Sequence, residues 1–312
     1  MELPFKRILI CDDSPSFFLD RLGDLGFEID YRPLIQNVEL LKLTDTFDAI
    51  LIKSALVLDE AFFEHFSKLK LVLRPGSGLD NVDKAYCSRN GIKIINSPNG
   101  NSNAVGEHAM GLLLMLTNNL YRAISEVNQQ KWIREENRGI ELEGRKVAVI
   151  GVGNAGTAFC KKMLGFDVKL LPYDKYKPRI ESIEKESVKL EDVYEGAEIV
   201  SLHLPLNEET RYYANDEFFN SFKNPIYFLN TSRGGVLNTT ALLKAIEKGK
   251  VLKAAIDVIE TEPLEKASTK EKELLKELIK TGKVLITPHI AGWTHEAKRK
   301  MFSILLDKYK LL

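Results

Sequence analysis

The sequence predicts an α/β fold with two doubly wound parallel sheets, and three observations carry that prediction. Apolar, β-branched runs alternate with amphipathic segments along the whole chain. One run, at 147–150, passes straight into a glycine-spaced turn, Gly151-Val152-Gly153-Asn154-Ala155-Gly156, and then into a helical pattern. The 312 residues suffice to bury a large core and to divide into two domains.

In the first hundred residues, 7–11, 27–31, 47–52, 69–74 and 92–95 read as strands, with helices over 16–25, 39–43, 60–69 and 84–90 between them. No phosphate fingerprint accompanies them. The helix over 102–119 is apolar almost all round, which predicts burial between domains or between subunits. A charged segment, 129–143, leads to the strand at 147–150. Gly151 supplies the angles of a tight bend, Gly153 removes a side chain where a pyrophosphate needs to touch the main chain, and Gly156 lets the next helix lie close. That helix begins near Asn154, so its unpaired N–H groups face the phosphates. A strand over 168–172 leads to Asp174, where a carboxylate can accept from both ribose hydroxyls. Together these form a Rossmann-like dinucleotide pattern. A carboxylate at this place repels a 2′-phosphate and favours NAD over NADP, although Lys175, Lys177 and Arg179 stand near enough to hold that phosphate instead.

Further strands are expected over 199–203, 226–230, 254–258 and 284–287, and helices over 215–221, 240–248 and 271–281. The charge-rich stretch 268–283 reads as a solvated helix face. The last helix, 294–310, is placed to pack back on the first domain, which makes that domain discontinuous.

Composition excludes several classes. The 44 basic and 44 acidic residues cancel and form no long block, so neither nucleic acid nor a membrane surface is indicated as a partner. The most apolar stretch, 109–116, is too short to cross a bilayer. Cys11, Cys87 and Cys160 are odd in number, widely spaced and without metal-ligand pairing, which points to small core residues, no metal site and a reducing, cytoplasmic location.

Three polar residues stand just past predicted strand ends: Arg233 in NTSRGG, Glu262 in DVIETEP and His289 in TPHIAG. Ligands of open α/β sheets bind beyond those ends. An arginine can clamp a carboxylate and polarise a carbonyl, a histidine can exchange a proton near neutral pH, and a glutamate beside it can fix its tautomer. Singly, each also reads as an ordinary surface or loop residue; jointly they point to one site. Asp257 either meets a nicotinamide carboxamide or holds a turn. The run Arg74-Pro75-Gly76-Ser77-Gly78 is either an anion nest or a plain glycine-rich turn. Lys53, at another strand end, is a weaker candidate of the same kind.

The strings RPGSGLDNVD, NSPNGNSNAVGEHAMGLLL, VAVIGVGNAG, SLHLPLNEETR, LNTSRGGVLN, AAIDVIETEPL and TPHIAGWTHEA, in this order, resemble the NAD-dependent D-2-hydroxyacid dehydrogenases, and most of all the D-3-phosphoglycerate dehydrogenase branch. The resemblance implies an NAD-binding Rossmann domain over 99–287 and a flavodoxin-like catalytic domain made from 1–98 and 288–312. It implies a homodimer through the segment after Ser102, and a small 2-hydroxy or 2-oxo acid substrate. It makes Arg233 the substrate-binding arginine, Glu262 the supporting acid and His289 the proton carrier, with Lys53, Arg74, Ser77 and Gly78 on the substrate carboxylate side. For the cofactor it implies Gly151, Gly153, Asn154, Ala155 and Gly156 at the pyrophosphate, Asp174 at the ribose, and His203, Leu204 and Pro205 on the adenine side. Thr231 and Asp257 fall on the nicotinamide side, and Ser232 and Gly292 are further cofactor-binding residues. Gly106 stands where alanine is usual and Trp293 where a small residue is frequent, and the chain ends without a C-terminal regulatory extension. Hydroxypyruvate or glyoxylate reduction is the nearest alternative activity; transcriptional corepressors of the same superfamily are the alternative from another class.

Overall fold

The structure is a computed structural model that describes residues 5–52 and 56–309. Lys53 lies outside the described residues. In chain order the elements are β1 (Arg7–Ile10), α1 (Ser16–Asp24), β2 (Glu28–Tyr31), α2 (Asn37–Leu40), β3 (Ala49–Leu51), α3 (Glu60–His65), β4 (Leu71–Arg74), α4 (Lys84–Arg89) and β5 (Lys93–Asn96). Then come α5 (Ser102–Thr117), α6 (Leu120–Asn128), β6 (Lys146–Ile150), α7 (Asn154–Met163), β7 (Lys169–Tyr173), β8 (Arg179–Ile180), β9 (Lys185–Glu186) and α8 (Leu190–Gly196). The chain closes with β10 (Ile199–Leu202), α9 (Asp216–Ser221), β11 (Ile226–Asn230), α10 (Thr239–Glu247), β12 (Val251–Ile256), α11 (Thr269–Lys280), β13 (Val284–Ile286) and α12 (His295–Tyr309). It divides into two compact units, Met1–Asn101 with Trp293–Leu312, and Ser102–Gly292.

The first unit is a parallel sheet ordered β2-β1-β3-β4-β5, the flavodoxin-like order, with its switch point between β1 and β3. Because successive side chains in a strand alternate, Ile8 and Ile10 point to one face with Phe18, Leu22, Phe302 and Leu305, and Leu9, Ile50 and Val72 to the other with Phe62, Phe63 and Phe66. The apolar residues of α12 thus complete the core of α1, the rings of Phe18 and Phe302 meeting edge-on at 4.8 Å.

The second unit is a six-stranded parallel sheet ordered β7-β6-β10-β11-β12-β13, with its switch point between β6 and β10. Val147, Val149 and Leu229 face α5 and α7; Ala148, Ile150, Val200 and Phe228 face α8, α9 and α10. Helix α5 packs within this unit, burying Ala109, Leu112, Leu113 and Leu116 against Phe159, Cys160 and Met163. This part of its apolar surface is buried inside one unit. Gly106 marks the crossing of α5 and α7: a β-carbon there would lie 3.0 Å from main-chain atoms of Ala158 and Phe159, tighter than alanine tolerates without a shift.

Four elements have no counterpart in the expected pattern. Helix α5 stops at Thr117, Asn119 turns into the left-handed region at φ 54°, and α6 follows with no buried residue, so it lacked a core-facing stripe. The β8–β9 hairpin has two residues in each strand, and α8 buries only Val193 and Gly196. Neither leaves a periodic signal. The compact units divide a few residues away from 99–287: 99–101 group with the first unit and 288–292 with the second, where Asp257 after β12 accepts main-chain N–H groups from His289, Ile290 and Ala291.

Replacing Phe302 by alanine removes a fully buried ring and is expected to lower stability by about 3–5 kcal/mol. Urea denaturation reads this as a lower midpoint; an unchanged midpoint would contradict the packing described for α12.

Candidate active site

The turn after β6 is built from two kinds of glycine. Gly151 has φ 86°, donates to Tyr173 O at 2.8 Å, and would bring a β-carbon to 2.7 Å from His203 O. A β-carbon on Gly156 would overlap the carbonyl oxygen of Gly151, so α7 can approach the turn only as glycine. Gly153 differs: it is exposed, and a β-carbon there would meet nothing within 4 Å. No side chain caps α7, so the first-turn N–H groups of Asn154 and Ala155 look out beside that open space.

Asp174 follows β7 and is half-buried. Its Oδ2 accepts from Val152 N at 2.9 Å and its Oδ1 from Tyr176 N at 3.1 Å, leaving one lone-pair direction on each oxygen. The cations beside it are engaged. Lys175 pairs with Glu209, Lys177 donates to Val152 O at 3.1 Å, and Arg179 pairs with Glu181 at 3.3 Å.

Across the switch point, His203 follows β10, its main-chain N–H donating to Ile150 O at 2.8 Å. Leu204 is half-buried over Gly151, and Pro205 is exposed, its carbonyl accepting from Thr210 Oγ1 at 2.5 Å. At the end of β11, Asn230 Oδ1 accepts from Ser232 N at 3.1 Å and from Ser232 Oγ at 2.6 Å, fixing the turn that carries Thr231. His203 Nδ1 and Thr231 Oγ1 are buried without a hydrogen-bond partner among the described residues. Such orphans cost about 1–3 kcal/mol each. An open glycine, uncapped helical N–H groups, a carboxylate with spare lone pairs and two orphaned polar atoms along one switch-point edge suit a dinucleotide.

Arg233, Glu262 and His289 follow β11, β12 and β13, three adjacent parallel strands, and so stand at one edge of the sheet. Glu262 and His289 are in contact: Oε2 of the carboxylate lies 2.5 Å from Nδ1 of the imidazole, while Oε1 accepts from Ile259 N at 3.0 Å. The pair is partly open, with 47% of the histidine side chain and 32% of the glutamate exposed. Arg233 is half-buried, its Nη1 donating to Ser232 O at 2.7 Å. A β-carbon on Gly234 would overlap the carbonyl of Ile259, so the loop carrying Arg233 lies directly on the loop carrying Glu262.

His289 is in the left-handed region at φ 54°, a strained setting for a residue other than glycine. Asp257 holds it there. Its main-chain carbonyl accepts from His289 N at 2.7 Å; its Oδ1 accepts from Ile290 N at 2.9 Å and Thr287 Oγ1 at 2.5 Å, and its Oδ2 from Ala291 N at 2.8 Å. The side chain is 0% exposed and both of its oxygens accept main-chain N–H groups, so Asp257 holds this turn. Burial pushes this carboxyl up, but hydrogen bonds from His108, Thr287, Ile290 and Ala291 outweigh it and hold it below the ordinary range. His108 and Thr287 were not singled out from sequence. A histidine in an apolar helix carries no signal until the strand it faces is known. Gly292 is half-buried directly after Ala291.

In the first unit, Arg74 ends β4 and folds back, its Nη1 donating to Pro75 O at 2.9 Å. Gly76 N is taken by Ser97 Oγ at 2.9 Å, and Ser77 Oγ lies 3.1 Å from Pro98 O and 3.0 Å from Asn101 Oδ1. Among the described residues the main-chain N–H groups of Ser77 and Gly78 have no acceptor, which leaves two adjacent donors for an anion.

Residues 110–291 match the family described as D-isomer specific 2-hydroxyacid dehydrogenase, NAD binding domain. The chain is 34% identical over 274 residues to hydroxypyruvate reductase of Thermotoga maritima, covering 88% of this chain and 87% of that one. It is 32% identical to D-3-phosphoglycerate dehydrogenase of Bacillus subtilis, covering 94% of this chain but 54% of that one, so it spans about half the length of such relatives. Among solved structures it resembles D-lactate dehydrogenase from Aquifex aeolicus, complexed with NAD and lactic acid, with a TM-score of 0.83, 28% identity, and 98% and 95% of the two chains covered.

The buried His203 yields a pH prediction. Burial pushes its imidazole down from 6.5 to about 4. The unfolded chain binds this proton below pH 6.5 and the folded chain only near 4, so its penalty is absent above 6.5 and grows as pH falls toward 4, by up to about 1.4 kcal/mol per pH unit. Urea denaturation at pH 7 and pH 5 is expected to show a smaller acid loss for His203→Asn than for the wild type; equal losses would contradict the assignment.

Proposed function

Because the chain belongs to the D-isomer specific 2-hydroxyacid dehydrogenase family, we propose that it transfers hydride between NAD(H) and a D-2-hydroxy acid or its 2-oxo acid. The observation that carries this reading is the contact of Glu262 with Nδ1 of His289 beside the Arg233 loop. Bound NAD supplies the hydride acceptor, and NADH the donor in reverse. Asn154 and Ala155 offer N–H groups to its pyrophosphate, and Asp174 offers its spare lone pairs to the ribose. His203, Leu204 and Pro205 serve the adenine side, Thr231 and Asp257 the nicotinamide side, and Ser232 and Gly292 are further cofactor-binding residues. The engagement of Lys175, Lys177 and Arg179 with protein acceptors supports NAD over NADP.

With Nδ1 committed to Glu262, the imidazole keeps Nε2 for the substrate. His289 takes the hydroxyl proton as the hydroxy acid is oxidised and returns it when the oxo acid is reduced. Arg233 clamps the carboxylate and polarises the carbonyl. Ser77 and Gly78 are proposed as main-chain donors to a carboxylate, with Arg74 and Lys53 as cations of the same function. D-3-phosphoglycerate is the first substrate proposed. Reduction of hydroxypyruvate or glyoxylate is the second, favoured by the nearly full-length match to the Thermotoga maritima enzyme.

A homodimer is proposed through α6 and the segment after it. Tyr121, Ile124, Val127 and Trp132 are 62%, 59%, 50% and 82% exposed, and the three on α6 follow a helical spacing, an apolar stripe of the kind that marks an interface. The three buried, unpaired cysteines support a cytoplasmic location.

Assaying D-3-phosphoglycerate, hydroxypyruvate, glyoxylate and D-lactate with both nicotinamide cofactors is expected to give turnover with at least one acid, and with NAD(H) ahead of NADP(H). His289→Asn should then lower kcat by about 10²–10⁴-fold. No turnover on any acid would end the proposal, and full turnover in the variant would end the role given to His289. Light scattering should show a dimer that Ile124→Lys splits; a wild-type monomer would contradict the α6 interface.

A further inference from the structure

We propose that His108, on α5, is a positioning residue for His289, acting through Thr287 and Asp257. The proposal rests on the reading of His289 as the proton carrier. His108 Nε2 lies 3.1 Å from Thr287 Oγ1 and 3.5 Å from Asp257 Oδ1. The direction of the chain follows from counting protons. Thr287 has one hydroxyl hydrogen and gives it to Asp257 Oδ1 at 2.5 Å, so at the 3.1 Å contact the threonine oxygen accepts and His108 Nε2 carries the hydrogen. The result is a directed relay from imidazole to hydroxyl to carboxylate.

What the carboxylate does at the far end gives the relay its purpose. Asp257 is the sole residue among those described that grips the 289–291 segment at three consecutive main-chain N–H groups, one through its carbonyl and two through its carboxylate. That grip holds His289 in a left-handed conformation which costs a non-glycine residue on the order of 1–3 kcal/mol and persists only where the surroundings over-determine it. A buried carboxylate keeps its place only while its lone pairs are satisfied. His108 supplies the most distant of its donors and fixes the proton of the nearest. Without it the Thr287 hydroxyl is free to turn, Oδ1 keeps Ile290 N as its one fixed donor, and the loop loses the restraint that aims the imidazole. The neighbouring Glu107 takes no part: it lies 3.7 Å from Lys162 Nζ and accepts from Asn103.

Two variants test this. His108→Gln keeps an N–H donor without a titratable ring, and His108→Leu keeps bulk without a donor. In the protein without cofactor, hydrogen exchange at the amides of Ile290 and Ala291 is expected to speed up about tenfold in His108→Leu and to stay near wild type in His108→Gln. In steady-state assays His108→Leu should lower kcat about tenfold with KM for the oxo acid little changed, since a misaimed proton carrier affects the transition state more than substrate binding, and His108→Gln should restore it. Wild-type exchange in His108→Leu overturns the link to the loop; faster exchange with unchanged kcat overturns the link to His289. Should His108→Leu fail to fold, Thr287→Val removes the middle of the relay and is read the same way. If the wild type turns over no acid at all, the proposed activity fails, while the exchange data still decide whether His108 holds the loop.

Discussion

Gly156 packs so closely on the carbonyl of Gly151 that no side chain fits between them, and the second unit is arranged around that contact. It pins the start of α7 to the end of β6, the strand at the switch point of the sheet. With the helix pinned there, its uncapped N–H groups, the carboxylate of Asp174 and the polar atoms after β10 and β11 all follow strand ends on one edge of the sheet. The geometry explains why two glycines of the turn are demanded by the protein itself and the third is not. Gly153 faces empty space, so no contact among the described residues accounts for its missing side chain.

A second constraint governs the far end of the same edge. His289 can be presented in a left-handed turn only because Asp257, wholly buried at the end of β12, binds three successive N–H groups behind it. Glu262 then meets the imidazole from the front, through the loop that Gly234 lets lie against the Arg233 turn. The exposed pair does the proposed chemistry, and a buried carboxylate in a low-dielectric surround supplies the rigidity. The first unit shows the same division of labour on a smaller scale: Gly76 and Ser97 lock the turn after β4, and the adjacent N–H groups of Ser77 and Gly78 are left over.

Much of this was legible in the sequence because its signals are local. Buried parallel strands such as 147–150 announce themselves as unbroken β-branched runs, and the glycine spacing with Asp174 after the next strand reports a turn whose chemistry is confined to about thirty residues. Arg233, Glu262 and His289 could be named because each follows a readable strand. What the sequence could not show depends on contacts between distant segments. Helix α6 carries its apolar stripe on an exposed face and buries nothing, so no core pattern marked it; the part of α5 in Asp257 rests on His108 meeting residues some 150–180 positions away. Asp257 itself was left open between two roles, and its hold on the 289–291 turn depends on contacts the sequence does not show. The displacement of 288–292 into the second unit has the same cause, since the N–H groups that Asp257 binds cannot be foreseen from TPHIAG alone.

The Gly153 gap is proposed as a cradle for a dinucleotide and not a by-product of folding. Calorimetric titration of NADH into the wild type and into Gly153→Val, with melting temperatures measured alongside, tests it most directly. Valine has room at this position and an extended backbone to occupy, so the variant should melt as the wild type does while losing NADH binding. Undiminished binding by a normally folded variant would contradict the claim.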